Sequence, residues 1–204
     1  IEIQHTVETV AKMFEQTLPL GTTVDLIRTR ADYISGRLKM LLENGLTGLG
    51  LVVLLLFLFL NARTAFWVAA GIPTAMLAAI TVMYFAGITI NMISLFALII
   101  TLGIVVDDAI VVGEHADQRA RMGLEPYEAA ESAAKRMALP VFAATLTTII
   151  AFFGLVVIGG RFGDLIADIP FTVVAVLAAS LVECFLILPN HMAHSLKHVG
   201  NNYW

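Results

Sequence analysis

Five apolar runs of about 20 residues each leave this chain few ways to fold, because a helix of that length spans a hydrocarbon layer of roughly 30 Å. They cover approximately residues 41–60, 66–86, 91–113, 137–158 and 169–188. In lipid every backbone N–H and C=O must be satisfied from within, and barrel strands there need only about ten residues, so runs this long predict helices. The expected fold class is all-α integral membrane, a five-transmembrane-helix bundle over residues 41–190. Apolar residues make up 59% of the chain and charged residues 14%, against roughly 25% charged in a soluble domain. None of the twelve Lys and Arg falls inside an apolar run. The net charge of −4 says little about partners, because all of the basic and most of the acidic residues lie in loops and ends. A single cysteine, Cys184, excludes an intrachain disulfide and reads as a small apolar filler.

The connections differ in character. Asn61-Ala-Arg-Thr and Ala86-Gly-Ile-Thr-Ile read as tight turns, and Gly159-Gly-Arg-Phe-Gly as a glycine-rich turn before the last span. Residues 114–136 form a polar loop, expected to be cytoplasmic, with four basic and five acidic side chains. Within it, Pro126-Tyr-Glu-Ala-Ala-Glu-Ser-Ala-Ala-Lys-Arg predicts a short surface helix with Pro in its first turn. Residues 1–40 are a different material. Val7, Val10, Phe14 and Leu18 recur at helical spacing, Leu18-Pro-Leu-Gly is a turn, and residues 22–27 alternate like a strand. A lone helix–turn–strand builds no core, so this stretch reads as a short α+β remnant of a soluble domain. The chain opens Ile-Glu-Ile-Gln-His, without Met or a leader, and reads as a piece of a longer protein. The basic residues are nearly balanced between the two sides. Arg63, Arg119, Arg121, Lys135, Arg136 and Lys197 oppose Lys12, Arg28, Arg30, Arg37, Lys39 and Arg161. Folded external domains translocate regardless of charge, which favours an external N-terminus and a cytoplasmic, interfacial tail over 191–204.

Two adjacent acids, Asp107 and Asp108, lie in the third run. One acid at the centre of a membrane helix costs about 2.5–3.5 kcal/mol on insertion scales. Successive residues on a helix point about 100° apart, so the two cannot share one narrow seam. Ser94, Thr101, Asp108 and His115 recur every seven residues and fall on one stripe, a candidate polar path to the pair. For Ser94 and Thr101 the plainer reading, hydroxyls bonded to their own helix, is favoured. Gly103, one turn before Asp107, is expected to admit a close helix approach. Two carboxylates this near titrate as a coupled pair. The apolar runs contain no cation, so either the pair rests largely protonated or its counter-charge lies on helices outside this chain. Glu183 in the last run is a further candidate for the polar path. His191, His194 and His198 could share a face but make a poor metal set. Thr145, Thr147 and Thr148 read first as packing residues, and Pro73 and Pro140 as bends or starts of helices. No phosphate loop, nucleophile elbow, zinc signature or basic nucleic-acid face is present. No cofactor, metal or nucleic-acid partner is therefore expected.

Gly103-Ile-Val-Val-Asp-Asp-Ala-Ile-Val-Val resembles the fourth transmembrane helix of the resistance–nodulation–division (RND) efflux transporters of the AcrB multidrug type. Phe57-Leu-Phe-Leu-Asn-Ala-Arg is similar to the end of that family's second span and its short turn. Gly123-Leu-Glu-Pro-Tyr-Glu-Ala-Ala resembles the loop after the fourth span, and Leu139-Pro-Val-Phe-Ala-Ala-Thr-Leu-Thr-Thr the fifth. The resemblance covers the whole chain, with residues 1–40 similar to the close of the periplasmic porter domain and the rest to spans two to six. It implies a secondary active transporter rather than an enzyme: a proton/drug antiporter of the bacterial inner membrane. In the family this is a homotrimer working with a periplasmic adaptor and an outer-membrane channel. Asp107 and Asp108 would be its proton-relay acids, facing a lysine in a second half of the same transporter. The termini would be periplasmic and cytoplasmic respectively, with lipids and protons as the remaining partners. Two rival readings are a relative that exports metal ions or lipids, and a non-transporting sensor or assembly module with a sterol-sensing-like bundle.

Overall fold

The computed structural model describes residues 2–19, 21–26 and 30–196. Ile27, Arg28, Lys197 and His198, with the tail beyond Leu196, lie outside the described residues. The chain divides into two compact units, residues 1–44 and 45–204.

In the first unit α1 (Glu2–Glu15) is amphipathic, as the spacing of its apolar residues requires. The turn after it contains Gly21 at φ +94°, left-handed backbone that a glycine adopts without strain. Residues 22–26 form no strand, and no described residue does. The β part of the expected α+β remnant is thus absent among the described residues. Alternation prepares a segment to pair, but a strand exists only as half of a hydrogen-bonded ladder. Val24 and Leu26 instead line a shallow groove with Ala11 and Lys12 of α1. The unit also holds the first half of α2 (Arg30–Phe59).

The second unit contains the rest of α2, then α3 (Ala62–Phe85), α4 (Met92–Arg121) and α5 (Pro126–Phe153). A 3₁₀ turn (Gly154–Val157) and the short α6 (Gly160–Ile166) lead to α7 (Asp168–Val182). A π-helical turn (Glu183–Ile187) joins α7 to α8 (Leu188–Leu196) without a break. Five helical stretches are long and apolar enough to cross a membrane, as expected. Several outrun their apolar sequence. α4 continues eight residues past Gly113, and α5 begins at Pro126 as one rod instead of a surface helix followed by a separate span. An apolar run marks where lipid touches a helix, whereas the backbone ladder ends only where a cap or breaker ends it. Pro126 stands at the helix start, where its missing N–H is no loss, and Pro140 is accommodated inside α5.

α4 packs against α3, α5 and α7. On α3 the fully buried residues Ala65, Val68, Ile72, Ala75, Ala79 and Met83 recur at three or four residues and form one seam. α2 adds Leu56 to the core, with Leu49 and Val52 half-buried beside it. Both ends of α4 are tied by side chains. At its start Asn91 caps the helix: its Oδ1 accepts from the N–H groups of Ile93 (2.8 Å) and Ser94 (3.0 Å), and its own N–H donates to Ser94 Oγ (2.8 Å). The Asn91 amide also donates to Asp168 Oδ2 (2.6 Å) at the start of α7. Near the far end, Asn61 in the α2–α3 turn donates to Asp117 Oδ1 (2.7 Å).

The close helix approach expected at Gly103 is not there. Among the described residues no atom lies within 4 Å of where a Cβ at Gly103 would stand. The tight crossing is at Gly113, where a Cβ would stand 2.9 Å from Val68 Cγ2 on α3. Which glycine is used depends on which face of α4 turns to α3, and that follows from the bundle as a whole. Gly113→Ala is therefore expected to lower stability by about 1–3 kcal/mol, since valine has no room to give. Gly103→Ala should be neutral or stabilising by about 0.5–1 kcal/mol. Thermal unfolding of both variants in detergent micelles checks this, and the reverse order would contradict the packing.

Candidate functional site

The two aspartates part company in the structure. Asp108 faces inward and is 9% exposed, whereas Asp107 lies on the exposed surface of α4. The 100° step between neighbours on a helix makes this separation unavoidable once one of them enters the core. No Lys or Arg pairs with either acid among the described residues. Stable ionisation of Asp108 therefore needs a counter-charge from elsewhere.

What the site does supply is a hydroxyl. Thr145 on α5 is 2% exposed, and its Oγ1 lies 3.4 Å from Asp108 Oδ2 and 2.8 Å from the backbone oxygen of Val141. A threonine hydroxyl has one proton to give and lone pairs to accept with. If that proton stays on the Val141 carbonyl, Thr145 can accept from a protonated Asp108. If it turns to Asp108, it can donate to the ionised carboxylate. One residue thus serves both protonation states without moving its backbone. Sequence reading placed Thr145 first among packing residues, because its partner is 37 residues away and spacing alone does not bring them together.

The backbone of Asp108 is also engaged. Its carbonyl accepts from the Cys184 thiol at 3.5 Å, which ties α4 to the π turn of the last span. Cys184 is fully buried, as expected, and it is also a hydrogen-bond donor. Next to it Glu183 is 3% exposed, with its carboxyl against Gly71 of α3. The π turn has a local cause. Pro189 has no N–H, and its ring crowds the carbonyl four residues back, so the preceding backbone re-forms with wider bonds. Accordingly the N–H of Leu188 donates to the carbonyl of Glu183, five residues earlier.

The other members of the expected polar path do not join Asp108. Ser94 is fully buried but serves the cap of α4, and its Oγ donates to the Thr89 carbonyl (2.8 Å). It lies 14 residues from Asp108, about 21 Å along the helix. Thr101 bonds the carbonyls of Ala97 (2.9 Å) and Leu98 (3.0 Å) on its own helix. Thr147 and Thr148 likewise bond their own turn of α5. His191 stacks on Trp67 with ring centroids 4.3 Å apart. Among the described residues no three side chains of metal-ligating type converge.

Thr145→Val keeps the shape of the side chain and removes the hydroxyl. It is expected to lower stability by about 1 kcal/mol and to move the infrared carbonyl band of protonated Asp108 toward that of an unbonded acid. Thr145→Ser should restore the band. A band unmoved by Thr145→Val would remove Thr145 from the site.

The sequence pattern of the AcrB/AcrD/AcrF family matches residues 1–202. Multidrug resistance protein MdtC of Klebsiella pneumoniae is 29% identical over 184 residues, which is 90% of this chain and 18% of that protein. MdtC of Shigella flexneri is similar to the same extent. Among solved structures, a heavy metal efflux pump superposes with a TM-score of 0.78 at 27% identity, covering 92% of this chain and 19% of that one. The chain therefore spans less than a fifth of the length of these relatives.

Proposed function

Since the chain belongs to the AcrB/AcrD/AcrF family of RND efflux transporters, we propose that this bundle is the acidic half of the proton-coupling site of a multidrug exporter. The observation that carries this reading is the Asp108 carboxyl, buried at the meeting of α4, α5 and the π turn without a cation among the described residues. A carboxylate in an apolar interior is strongly disfavoured while unpaired, and neutral acid or a nearby cation relieves it. A group with two such ways of being satisfied can load a proton when the cation withdraws and release it when the cation returns. Asp107, on the exposed surface of α4, would be the second acid of the relay.

In this reading the cation comes from a second half of the same transporter. Exchange of proton for cation at Asp108 shifts the packing of α4, and that shift drives alternating states of a periplasmic portion. Residues 1–40 would be the close of that portion, with the N-terminus periplasmic and the chain's end cytoplasmic in a bacterial inner membrane. The polar stretch 114–136, which includes the end of α4 and the start of α5, would stand on the cytoplasmic side. A homotrimer with a periplasmic adaptor and an outer-membrane channel is the assembly this predicts. Export of metal ions is the second reading, favoured by the likeness to the heavy metal efflux pump. The membrane bundle is common to both.

Asp107→Asn and Asp108→Asn, each in a transporter of full family length carrying this segment, are expected to abolish proton-coupled efflux while leaving membrane insertion and assembly intact. Dye efflux and metal efflux from everted vesicles under an imposed proton gradient measure the two cargo readings side by side. Efflux unchanged in both variants would overturn the proposal.

A further inference from the structure

Glu183 is the more deeply buried of the two interior acids, at 3% exposure against 9% for Asp108. No Lys, Arg or His among the described residues forms an ion pair with its carboxyl. Its position is built. The π turn swings the side chain toward α3, and the bundle leaves room for it by placing glycine opposite: a Cβ added at Gly71 would stand 2.7 Å from Glu183 Cδ. Any larger residue at 71 would occupy the space the carboxyl fills. The next residue, Cys184, donates its thiol to the carbonyl of Asp108, so the turn that positions Glu183 also touches the Asp108 backbone.

The surroundings identify the ligand. At the level of this turn, α3 presents Gly71, α4 presents Asp108 and α5 presents the Thr145 hydroxyl. The ionisable groups on the same elements stand farther off. Arg63 is eight residues before Gly71, about 12 Å down α3, and Arg136 is nine residues before Thr145, about 14 Å down α5. His191 follows Glu183 by eight residues, again about 12 Å, and is engaged with Trp67. On α4, Asp107 lies on the exposed face about 100° around the helix from Asp108, and His115 follows Asp108 by seven residues, about 10 Å. Among the described residues no three side chains of metal-ligating type converge, so this is a poor metal site. It is a good proton site, because the neutral acid is the form that a cation-free apolar pocket tolerates.

We propose that Glu183 is a second proton-binding carboxyl of this bundle, separate from the aspartate pair and linked to it through the Cys184 thiol. Binding adds one proton to a carboxylate oxygen and takes the side chain from −1 to neutral; release returns the proton to water. A change of charge at Glu183 moves the π turn that it sits on. The thiol, one residue on, passes that movement to the Asp108 carbonyl. The inference concerns proton binding by this bundle and stands whether or not the aspartates drive export.

The test is infrared titration of the chain in lipid nanodiscs, with two kinds of band read together. Protonated carboxyls give carbonyl bands that respond to pH, and the chain's single cysteine gives one S–H band. Glu183→Gln should delete one pH-responsive carboxyl band, different from the one deleted by Asp108→Asn, and should shift the S–H band. Gly71→Ala retains the acid but displaces it, so the same carboxyl band should move without disappearing. That second variant keeps the test open should Glu183→Gln fail to fold. A pH-difference spectrum identical to the parent's in Glu183→Gln, or a Gly71→Ala spectrum with both bands in place, would overturn the proposal. Neither result depends on transport, so failure of the exporter reading and failure of this one are separately visible.

Discussion

A carboxyl that must not face lipid sets the arrangement of this bundle. Asp108 sits near the middle of a 30-residue helix, and the helix can hold it away from hydrocarbon only by turning that face to its neighbours. α4 does so, packing against α3, α5 and α7. Its rotation is then fixed from both ends, by Asn91 bonded to Asp168 and by Asn61 bonded to Asp117. Each of these ties is an amide donating to a carboxylate, a charge-assisted bond of about twice ordinary strength. Between them, small residues let α3 come close, so that a rotation of α4 which exposed Asp108 would also break the Gly113–Val68 contact surface.

The helices were legible in the sequence, and their lengths were not. Apolar runs report contact with lipid or with a core. They are silent on where a hydrogen-bonded ladder ends, which is why α4 and α5 extend into polar sequence at 114–121 and 126–136. The break between them was readable from chemistry. Gly123 adopts φ +93° after α4, and Pro126 opens α5. The expected strand at 22–27 illustrates the opposite limit, since alternation is a local property and pairing is not. The π turn was hidden in plain view: Pro189 signalled a disturbed ladder, but not that the disturbance would aim a glutamate at a glycine over a hundred residues earlier.

The site divides in the same way. The aspartate pair was visible because no packing role explains two acids in an apolar run. That one would be buried and the other exposed followed from helix geometry, while the choice of Asp108 as the inner member required its neighbours. Ser94 shared the heptad stripe with Asp108 yet belongs to the cap of α4, because Asn91 three residues before it makes a capping box. Thr145, Cys184 and Gly71 come from three other helices, and their roles appear only when those helices meet.

The account reduces to a claim about charge. Asp108 is held where it can be neutral with Thr145 as its acceptor, or ionised with a cation beyond this chain, and the bundle is built to pass between the two. The most direct measurement is carbon-13 NMR of aspartate-labelled carboxyls, in a transporter of full family length carrying this segment, in lipid bilayers across the physiological pH range. The account predicts that the Asp108 resonance responds to pH across that range, and that Thr145→Val perturbs it while leaving the exposed Asp107 unmoved. An Asp108 carboxyl that stays in one protonation state throughout and is indifferent to Thr145 would contradict it.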